Sequence, residues 1–249
     1  MRPHRGSSHS EASGPLSQSA GRPEDDPPRM VLVVRRGAFS ALAPAGAAAG
    51  AAAVACVRRF EGSEEWGSAV AAWRPRPGKV VLRARSAGQW QAVLAEPGGV
   101  ALQRVVALAP RRRSERAALL DALQAMTTTL DPPPEGARPV AGAVTYVLNP
   151  RLEMSSGKTL AQIAHAAVMA AERPELEPWV RDRCPARVLR APADAFEALC
   201  GRDGLAARVV DAGLTEVAPG TVTVLALAPA AHAHREPGPA ATAAASRAR

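Results

Sequence analysis

The sequence predicts an α/β protein with two tandem domains, each built on a mixed β-sheet. Strand-like and helix-like segments alternate twice along the 249 residues, in the order strand, helix, strand, helix, strand. A proline-rich segment, DPPPEGARP at 131–139, separates the two runs, and proline excludes helix and favours an extended chain. Short words recur at corresponding places, VVLRA against RVLRA and VVALAP against VLALAP. We therefore predict an internal duplication.

The first half opens with MVLVVR at 30–35, a β-branched run that is typical of a buried strand. The alanine-rich segment at 44–60 predicts a helix, with Pro44 near its first turn. The other predicted elements of this half are a strand at 79–84, a short helix at 87–95, a strand at 102–110 and a helix at 111–130.

The second half repeats this order. VTYVLN at 144–149 predicts a strand, and the segment 156–171 predicts a helix. The elements that follow are predicted as a strand at 186–191, a short helix at 194–199, and strands at 207–210 and 221–229.

Composition sets the domain boundaries. Residues 1–28 carry too few large apolar groups to offset the entropy of ordering, so we expect a disordered tail there. Residues 230–249 are of low complexity and predict a second tail. Between the tails we predict a first domain at 29–112, a helix and proline-rich linker at 113–141, and a second domain at 142–229.

The net charge of +8 favours a polyanionic partner, because clustered cations bind phosphate backbones. Arginine is abundant everywhere in the chain, so charge alone does not establish a nucleic-acid partner. The spacing of Cys56, Cys184 and Cys200 fits neither a disulfide scaffold nor a zinc site and indicates reduced thiols. The N-terminal segment has no apolar core typical of a signal peptide, and no stretch reaches the ~18 apolar residues that span a bilayer. We expect a soluble, cytoplasmic protein with no membrane partner.

The helix at 156–171 carries the first group of candidate site residues. At about 100° per residue, Lys158, Gln162 and His165 share one face, and the apolar side chains gather on the opposite face. Ser155 or Ser156 is the expected N-cap. A lysine in the first turn is unfavourable for the helix dipole, but it adds positive potential suited to a phosphate or to a developing oxyanion. The alternative is an ordinary solvated polar face.

The segment DAGLTEVAPGTVTVLALAP, from Asp211 to Pro229, carries the second group. A glycine and a Pro-Gly pair predict turns, and Thr221 and Thr223 are two apart on a strand and so face one side. A carboxylate, hydroxyls and a nearby imidazole are the groups that position a water for ester hydrolysis. The alternative is that Asp211 closes an Asx-turn and that the threonines serve β propensity.

Together, GK-x-x-x-Q-x-x-H-A-A-V and D-A-G-x-T-x-x-A-P-G-T-x-T-V-L resemble the type 2 peptidyl-tRNA hydrolases of archaea and eukaryotes, over residues 144–229. The resemblance implies a four-stranded mixed sheet flanked by helices in each half, the first half being a degenerate copy. It also implies tRNA as the partner and an ester hydrolysis that needs no cofactor and no metal. The residues it implies as catalytic are Lys158, His165, Asp211 and Thr215. Those it implies for substrate binding are Gln162, Arg190, Gly220, Thr221 and Thr223.

The chain departs from the family pattern at several places. The family's arginine and aspartate after its first strand are replaced by the segment from Leu148 to Leu152, which contains Asn149 and Arg151, and the lysine at the start of the second strand is replaced by Ala186. In the first half, the positions that match the helix motif are Pro44, Ala48 and Ala51, and no D-A-G-x-T loop is visible. Lys79 stands where the second half has Ala186.

We therefore predict an esterase that releases tRNA from peptidyl-tRNA, with the second half catalytic. Water attacks the ester carbonyl, Asp211 and His165 orient it and handle protons, and Lys158 with the region of Thr215 and Thr221 stabilises charge. A further hypothesis is that the halves pair as a pseudo-dimer in which Lys79 lends charge to the active half. The competing interpretations are a non-catalytic RNA-binding or partner-binding protein and a hydrolase of another acyl ester.

Overall fold

The computed structural model describes residues 26–230, so that most of both predicted tails lies outside the described residues. The strands are β1 (Arg29–Arg35), β2 (Gly78–Ala84), β3 (Gly99–Leu102), β4 (Val105–Arg111), β5 (Gln124–Ala125), β6 (Val144–Leu148), β7 (Ala186–Arg190), β8 (Ala207–Val210) and β9 (Val222–Leu227). The helices are α1 (Leu42–Phe60), α2 (Gly67–Trp73), α3 (Ala87–Leu94), α4 (Ala118–Asp121), α5 (Ser156–Ala171), α6 (Glu177–Arg181) and α7 (Ala193–Cys200).

The predicted α/β class with two mixed sheets is confirmed. The first sheet has the strand order β3-β4-β1-β2-β5, and the second has the order β7-β6-β9-β8. In each half the first and second strands are parallel, the first and last are antiparallel, and the third is antiparallel to the last. Four strands of the first sheet therefore share the topology of the second sheet, and β5 is an additional fifth strand.

The helix predicted over 111–130 is wrong for most of that segment. Only a 3-10 turn at Arg113–Glu115 and the four residues of α4 are helical. The chain then forms β5, which pairs antiparallel with β2. Three consecutive threonines at 127–129 lower helix propensity, and the exposed edge of β2 offers the backbone another set of hydrogen bonds. Tertiary pairing has prevailed over local composition here.

The segment after β5 is extended, and it is fixed along its length by hydrogen bonds to both halves. The Leu130 N–H donates to the Ser156 hydroxyl at 3.0 Å, and the next carbonyl, that of Asp131, accepts from the Leu42 N–H at 2.9 Å. Ser156 and Leu42 are the first residues of α5 and α1, so this segment joins the N-termini of the two helices. Farther on, the Gly136 N–H donates to the Arg190 carbonyl at 2.9 Å and covers the edge of β7.

Helices α1 and α5 lie side by side between the two sheets. A Cβ atom at Gly46 would lie 2.6 Å from Ile163 Cδ1, and one at Gly50 would lie 3.1 Å from Ala167 Cβ, so the glycines permit close packing. From the first contact to the second, the residue number rises by four in both helices, which shows that α1 and α5 are parallel. A single core cluster includes buried residues of α1, α5 and the facing sides of both sheets.

The helices also contact the sheets crosswise. Helix α5 packs on β8 and β9 of its own half and also contacts β2 of the first half. Helix α1 packs on β3 and β4 and also contacts β7 of the second half. The outer face of the first sheet is covered by α3 and α4, and that of the second by α7, since alternate strand residues belong to separate clusters there.

Ion pairs join the halves near the C-terminal ends of α1 and α5. The Arg58 guanidinium lies 2.7 Å from Glu177, and it donates to the Ala171 carbonyl at 3.0 Å. Arg74 lies 2.5 Å from Glu172 and also pairs with Glu61. The halves are thus joined at both ends of the helix pair.

Within residues 26–230, no helix is long and apolar enough to cross a membrane. The three cysteines are free thiols, of which Cys56 and Cys184 are buried and Cys200 is partly exposed.

Candidate active site

The N-terminus of α5 is held by two serines. The Ser155 hydroxyl accepts from the Lys158 N–H at 3.2 Å, which makes Ser155 the N-cap, while Ser156 faces the linker. Gly157 is required here because a Cβ atom would lie 2.6 Å from the Met126 carbonyl oxygen. The glycine that precedes the lysine therefore serves the close approach of the linker to the helix.

The loop between β8 and β9 closes on itself. The Asp211 N–H donates to the Thr221 carbonyl at 2.9 Å, and the Gly220 N–H donates to the Asp211 carbonyl at 2.9 Å. Gly213 has a φ of +77°, and a Cβ atom there would lie 2.6 Å from Pro219 Cδ. Both the conformation and the contact demand glycine, and the loop brings Asp211 to the N-terminal turns of α5.

The centre of the site is the carboxylate of Asp211. Its Oδ2 lies 2.5 Å from Lys158 Nζ and accepts from Gln162 Nε2 at 2.7 Å. Its Oδ1 accepts from the Gly213 N–H at 2.8 Å, which is the Asx-turn that the sequence offered as an alternative. Lys158 Nζ also donates to Thr215 Oγ1 at 2.9 Å. Four of the predicted site residues therefore meet in one hydrogen-bonded cluster.

Gln162 and Thr223 form the inner part of this cluster. The Thr223 hydroxyl donates to Gln162 Oε1 at 2.8 Å, and this fixes the orientation in which the amide nitrogen of Gln162 faces Asp211. Thr223 is completely buried and Gln162 is 8% exposed. Their part in substrate binding, as predicted from the sequence, would thus be indirect, through the position of Asp211.

The electrostatics keep Asp211 ionised. Burial raises the pKa of this carboxyl group, but the hydrogen bonds from Lys158, the Gly213 N–H and Gln162, with the charge of Lys158, outweigh burial and lower it. The same carboxylate compensates the positive charge of Lys158, which is unfavourable in the first turn of a helix. An ionised, partly desolvated carboxylate beside an ammonium group and a hydroxyl can accept a proton from water and stabilise an oxyanion close by.

His165 lies one turn beyond Gln162 on the same face of α5 and is partly buried. Within residues 26–230 its ring makes no side-chain hydrogen bond, so it does not contact Asp211 directly. Burial, together with the charge of Lys79, lowers its pKa to about 3, although Asp211 acts in the opposite direction. The imidazole is therefore neutral at physiological pH and has a ring nitrogen free to accept a proton.

Glu216 is a site residue that the sequence analysis missed. Its carboxylate accepts from the Ser155 N–H at 2.7 Å and from the Ser155 hydroxyl at 2.7 Å. It fastens the loop to the N-cap of α5, just before the turn that carries Lys158. The sequence feature that could have indicated this residue is an acidic side chain next to Thr215 in the loop. Only the fold shows that the loop reaches the helix N-terminus.

The other predicted binding residues surround the cluster. Arg190 is exposed at the end of β7 and donates to the Pro150 carbonyl at 2.6 Å. Gly220 has a φ of +80° and is exposed, and Thr221 is partly exposed next to it. These residues are open to solvent at the same end of the sheet as Asp211.

The departures from the family pattern have structural roles. The Asn149 amide donates to the Val222 carbonyl at 2.8 Å and accepts from the Arg151 N–H at 2.9 Å, which closes the turn after β6. Arg151 forms an exposed ion pair with Glu197 at 2.5 Å. Ala186 pairs with Val144 at the start of β7 and packs against the core shared by the two halves.

The first half has no equivalent cluster. Its β3 and β4 are joined by Gln103 and Arg104 alone, with φ of 46° and 70°, the conformation of a tight hairpin turn. Pro44 is exposed, and Ala48 and Ala51 are buried without a polar group. The two-residue turn leaves no counterpart of the loop that carries Asp211 in the described part of this half.

No group of three His, Cys, Asp or Glu side chains in the described part of the chain is arranged to hold a metal ion.

The fold and the cluster define a class of α/β protein in which a helix N-terminus and a turn before the last strand form an acid–amine–hydroxyl site. The sequence model of the family described as "Peptidyl-tRNA hydrolase PTH2" matches residues 143–235. Two curated relatives are each called "Peptidyl-tRNA hydrolase". The one from Thermococcus onnurineus is 38% identical over 91 residues, covering 32% of this chain and 77% of the relative. The one from Thermococcus sibiricus is 37% identical over 86 residues, covering 30% and 73%.

This chain belongs to the peptidyl-tRNA hydrolase PTH2 family through its second half. No solved structure matches the chain significantly.

Proposed function

We propose that this protein hydrolyses the ester bond of peptidyl-tRNA and releases the peptide and free tRNA. The observation that carries the proposal is the contact of Lys158 with both Asp211 and Thr215, at 2.5 and 2.9 Å, inside the region that matches the family. The names of the two Thermococcus relatives support the substrate. We place the activity in the cytoplasm, where free thiols such as Cys200 stay reduced.

In the proposed mechanism, a water molecule attacks the ester carbonyl carbon and transfers its proton to the Asp211 carboxylate. Lys158 and the Thr215 hydroxyl stabilise the negative charge that develops on the carbonyl oxygen. The tetrahedral intermediate collapses, the bond to the ribose oxygen breaks, and that oxygen takes up the proton that Asp211 received from water. Neutral His165 relays this proton through water to the leaving group, and Asp211 is again ionised. The products are a peptide carboxylate and a ribose hydroxyl.

We also propose that the first half lends charge to the active half from outside, as one subunit of a dimer can for another. Lys79 is the second residue of β2, the strand that contacts α5, and its charge acts on His165 of that helix and on Glu172, which follows the helix. Ala186 begins β7, the strand that contacts α1, where Ala48 and Ala51 offer no chemistry. In this arrangement the charge of a lysine at position 79 acts on the helix of the active half, α5. The charge of a lysine at position 186 would act on the helix of the inert half, α1. The shared strand topology supports a duplication as the origin of this pairing.

The experiment is cleavage of an N-blocked aminoacyl-tRNA by the purified full chain. We expect release of the blocked amino acid by wild type and loss of release in Asp211→Ala. If both proteins bind tRNA but wild type is no faster than the variant, the chain is an RNA-binding protein and the enzyme proposal fails. Preference for simple acyl esters over the tRNA ester would instead indicate a different hydrolase.

A further inference from the structure

Four exposed arginines lie together at one end of the first sheet. Arg35 ends β1, Arg36 follows it, Arg85 follows β2, and Arg104 lies in the turn between β3 and β4. The Arg35 N–H donates to the Arg104 carbonyl at 3.2 Å, and the Arg36 N–H donates to the Ala84 carbonyl at 2.9 Å. The backbones that carry the four side chains are thus on adjacent strands, about 4.8 Å apart. We call these four residues the arginine surface.

The arginine surface has no acidic partner among residues 26–230. None of its four side chains forms an ion pair or a hydrogen bond with residues 26–230, whereas Arg58, Arg74 and Arg111 are all paired with glutamates. The loop that would bring acidic residues here, as the second half brings Asp211 and Glu216, is reduced to a two-residue turn. Adjacent like charges repel one another, so a ligand with several negative charges fits this end of the sheet.

The arginine surface and the candidate active site lie on the same side of the molecule. Each site is at the carboxyl end of the parallel strands of its half, where α1 or α5 begins. Those two helices are parallel, and adjacent residues Leu130 and Asp131 bond to Ser156 of one N-terminus and Leu42 of the other. From the 3.8 Å spacing of Cα atoms, the two N-termini are about 10 Å apart. One extended polyanion can therefore contact both.

We infer that the arginine surface binds the phosphate backbone of an RNA whose acylated end lies at Lys158 and Asp211. The identity of this RNA as tRNA rests on the proposed function. A membrane surface is the poorer partner, because basic membrane-binding faces are bordered by exposed apolar side chains. Of the large apolar residues exposed in the described part of the chain, Val210 and Leu214 belong to the second half, and Leu94 is at the far end of α3, the helix that begins near Arg85.

The test compares two variants of the full chain with the same change in net charge. In the first, Arg35, Arg36, Arg85 and Arg104 are each changed to glutamine. In the control, the four changed arginines are Arg59, Arg76, Arg183 and Arg202, which are exposed, have no ion pair within residues 26–230, and lie toward the opposite ends of the sheets. Binding of deacylated tRNA is measured by fluorescence anisotropy over a series of salt concentrations, and circular dichroism verifies folding.

We expect the first variant to bind tRNA at least about tenfold more weakly at low salt, with a slope of log K against log salt reduced by about 2 to 4. The control should stay within about threefold of wild type. Equal losses in both variants, or no loss in the first, would overturn the inference. Loss of binding to anionic vesicles without loss of tRNA binding would overturn it too, in favour of a membrane.

A second readout separates this inference from the proposed function. Cleavage of a short N-blocked aminoacyl oligonucleotide, too short to reach the arginine surface, should be unchanged in the first variant. If wild type cleaves no ester but the first variant loses tRNA binding, the arginine surface is supported and the enzyme proposal is refuted. If the first variant cleaves both substrates and binds tRNA as wild type does, the arginine surface is refuted and the enzyme proposal is supported.

Discussion

Lys158 Nζ lies 2.5 Å from Asp211 Oδ2, and this contact joins the first turn of α5 to the turn before β9. The side chain of Lys158 is 12% exposed and that of Asp211 is 5% exposed. A carboxylate as buried as this one keeps its charge only through such partners, so the ionisation of the candidate site depends on this contact.

Replacing Asp211 with asparagine should lower the cleavage rate by about 10² to 10⁴, because the amide cannot accept a proton from water. The measurement is single-turnover cleavage of N-blocked aminoacyl-tRNA. Asp203→Asn is the matched control, since Asp203 is an exposed acid away from the cluster, and its rate should equal that of wild type. A rate for Asp211→Asn within about fivefold of wild type would exclude Asp211 as the base.

Replacing Gln162 with glutamate should shift the acidic limb of the pH–rate profile to higher pH. The new carboxylate would face Asp211 Oδ2 where the amide now donates at 2.7 Å, and a like charge raises the pKa of its neighbour. The readout is kcat/KM from pH 4 to pH 9. Gln91→Glu, at an exposed position on α3, is the control and should leave the profile in place. A uniform loss at every pH would point to a packing defect instead.

Replacing Lys79 with methionine should stabilise the protein near pH 7 while lowering turnover. Burial lowers the pKa of Lys79 from its usual 10.5 to about 7, although Glu172 acts in the opposite direction. Below pH 7 the lysine is charged in both folded and unfolded states, so the full cost of burying the charge is present there. It fades as the pH rises toward 10.5 and is absent above that value, where both states are neutral.

The contribution of Lys79 is measured by urea unfolding at pH 7 and pH 10.5 together with cleavage assays. The gain in the free energy of unfolding should be present at pH 7 and almost lost at pH 10.5. A structural role for the ammonium group, which lies 4.7 Å from the Trp73 ring and 3.1 Å from the Pro77 carbonyl, predicts a loss of stability instead. Unchanged turnover would remove Lys79 from the site.

His165 should make the protein less stable as the pH falls. Its pKa is about 3 in the folded protein and 6.5 for an ordinary histidine, so between these values the unfolded chain binds a proton that the folded protein does not. The free energy of unfolding therefore falls as the pH drops from 6.5 toward 3. In His165→Gln this slope should be shallower, as measured by urea titrations at pH 7, 5.5 and 4. An unchanged slope would show that the imidazole is protonated when folded.

Gly157→Ala should destabilise the protein by about 1–3 kcal/mol, because the new Cβ atom would meet the Met126 carbonyl at 2.6 Å. The linker must then move away from the N-terminus of α5. Gly88→Ala is the matched helical control, with only Ser86 Oγ at 3.9 Å, and it should be neutral or stabilising. Thermal unfolding of both variants tests the prediction, and equal midpoints would contradict it.

Local patterns predicted much of this structure. The helix at 156–171 was predicted to the residue, because its apolar face follows the helical period and a serine caps it. The two motifs identified Lys158, Gln162, Asp211, Thr215 and Thr223, which the structure brings into one cluster.

Other features depend on distant contacts and were not accessible from the sequence. β5 exists because β2 has a free edge, and Glu216 matters because its loop reaches the cap of α5. The period placed His165 beside Gln162, but it could not show that the ring lacks a hydrogen bond to Asp211. It also could not show that a charge from the other half, that of Lys79, acts on this ring.

The linker has a kinetic consequence. Because one backbone connects the two halves and is fastened to both, their association is unimolecular, with an effective concentration of about millimolar or more. Dilution cannot separate Lys79 from α5, whereas a site shared between separate chains empties below its dissociation constant. The two halves also have separate sequences, so a substitution in one half does not change the other. The corresponding ends of the two sheets can therefore acquire different functions.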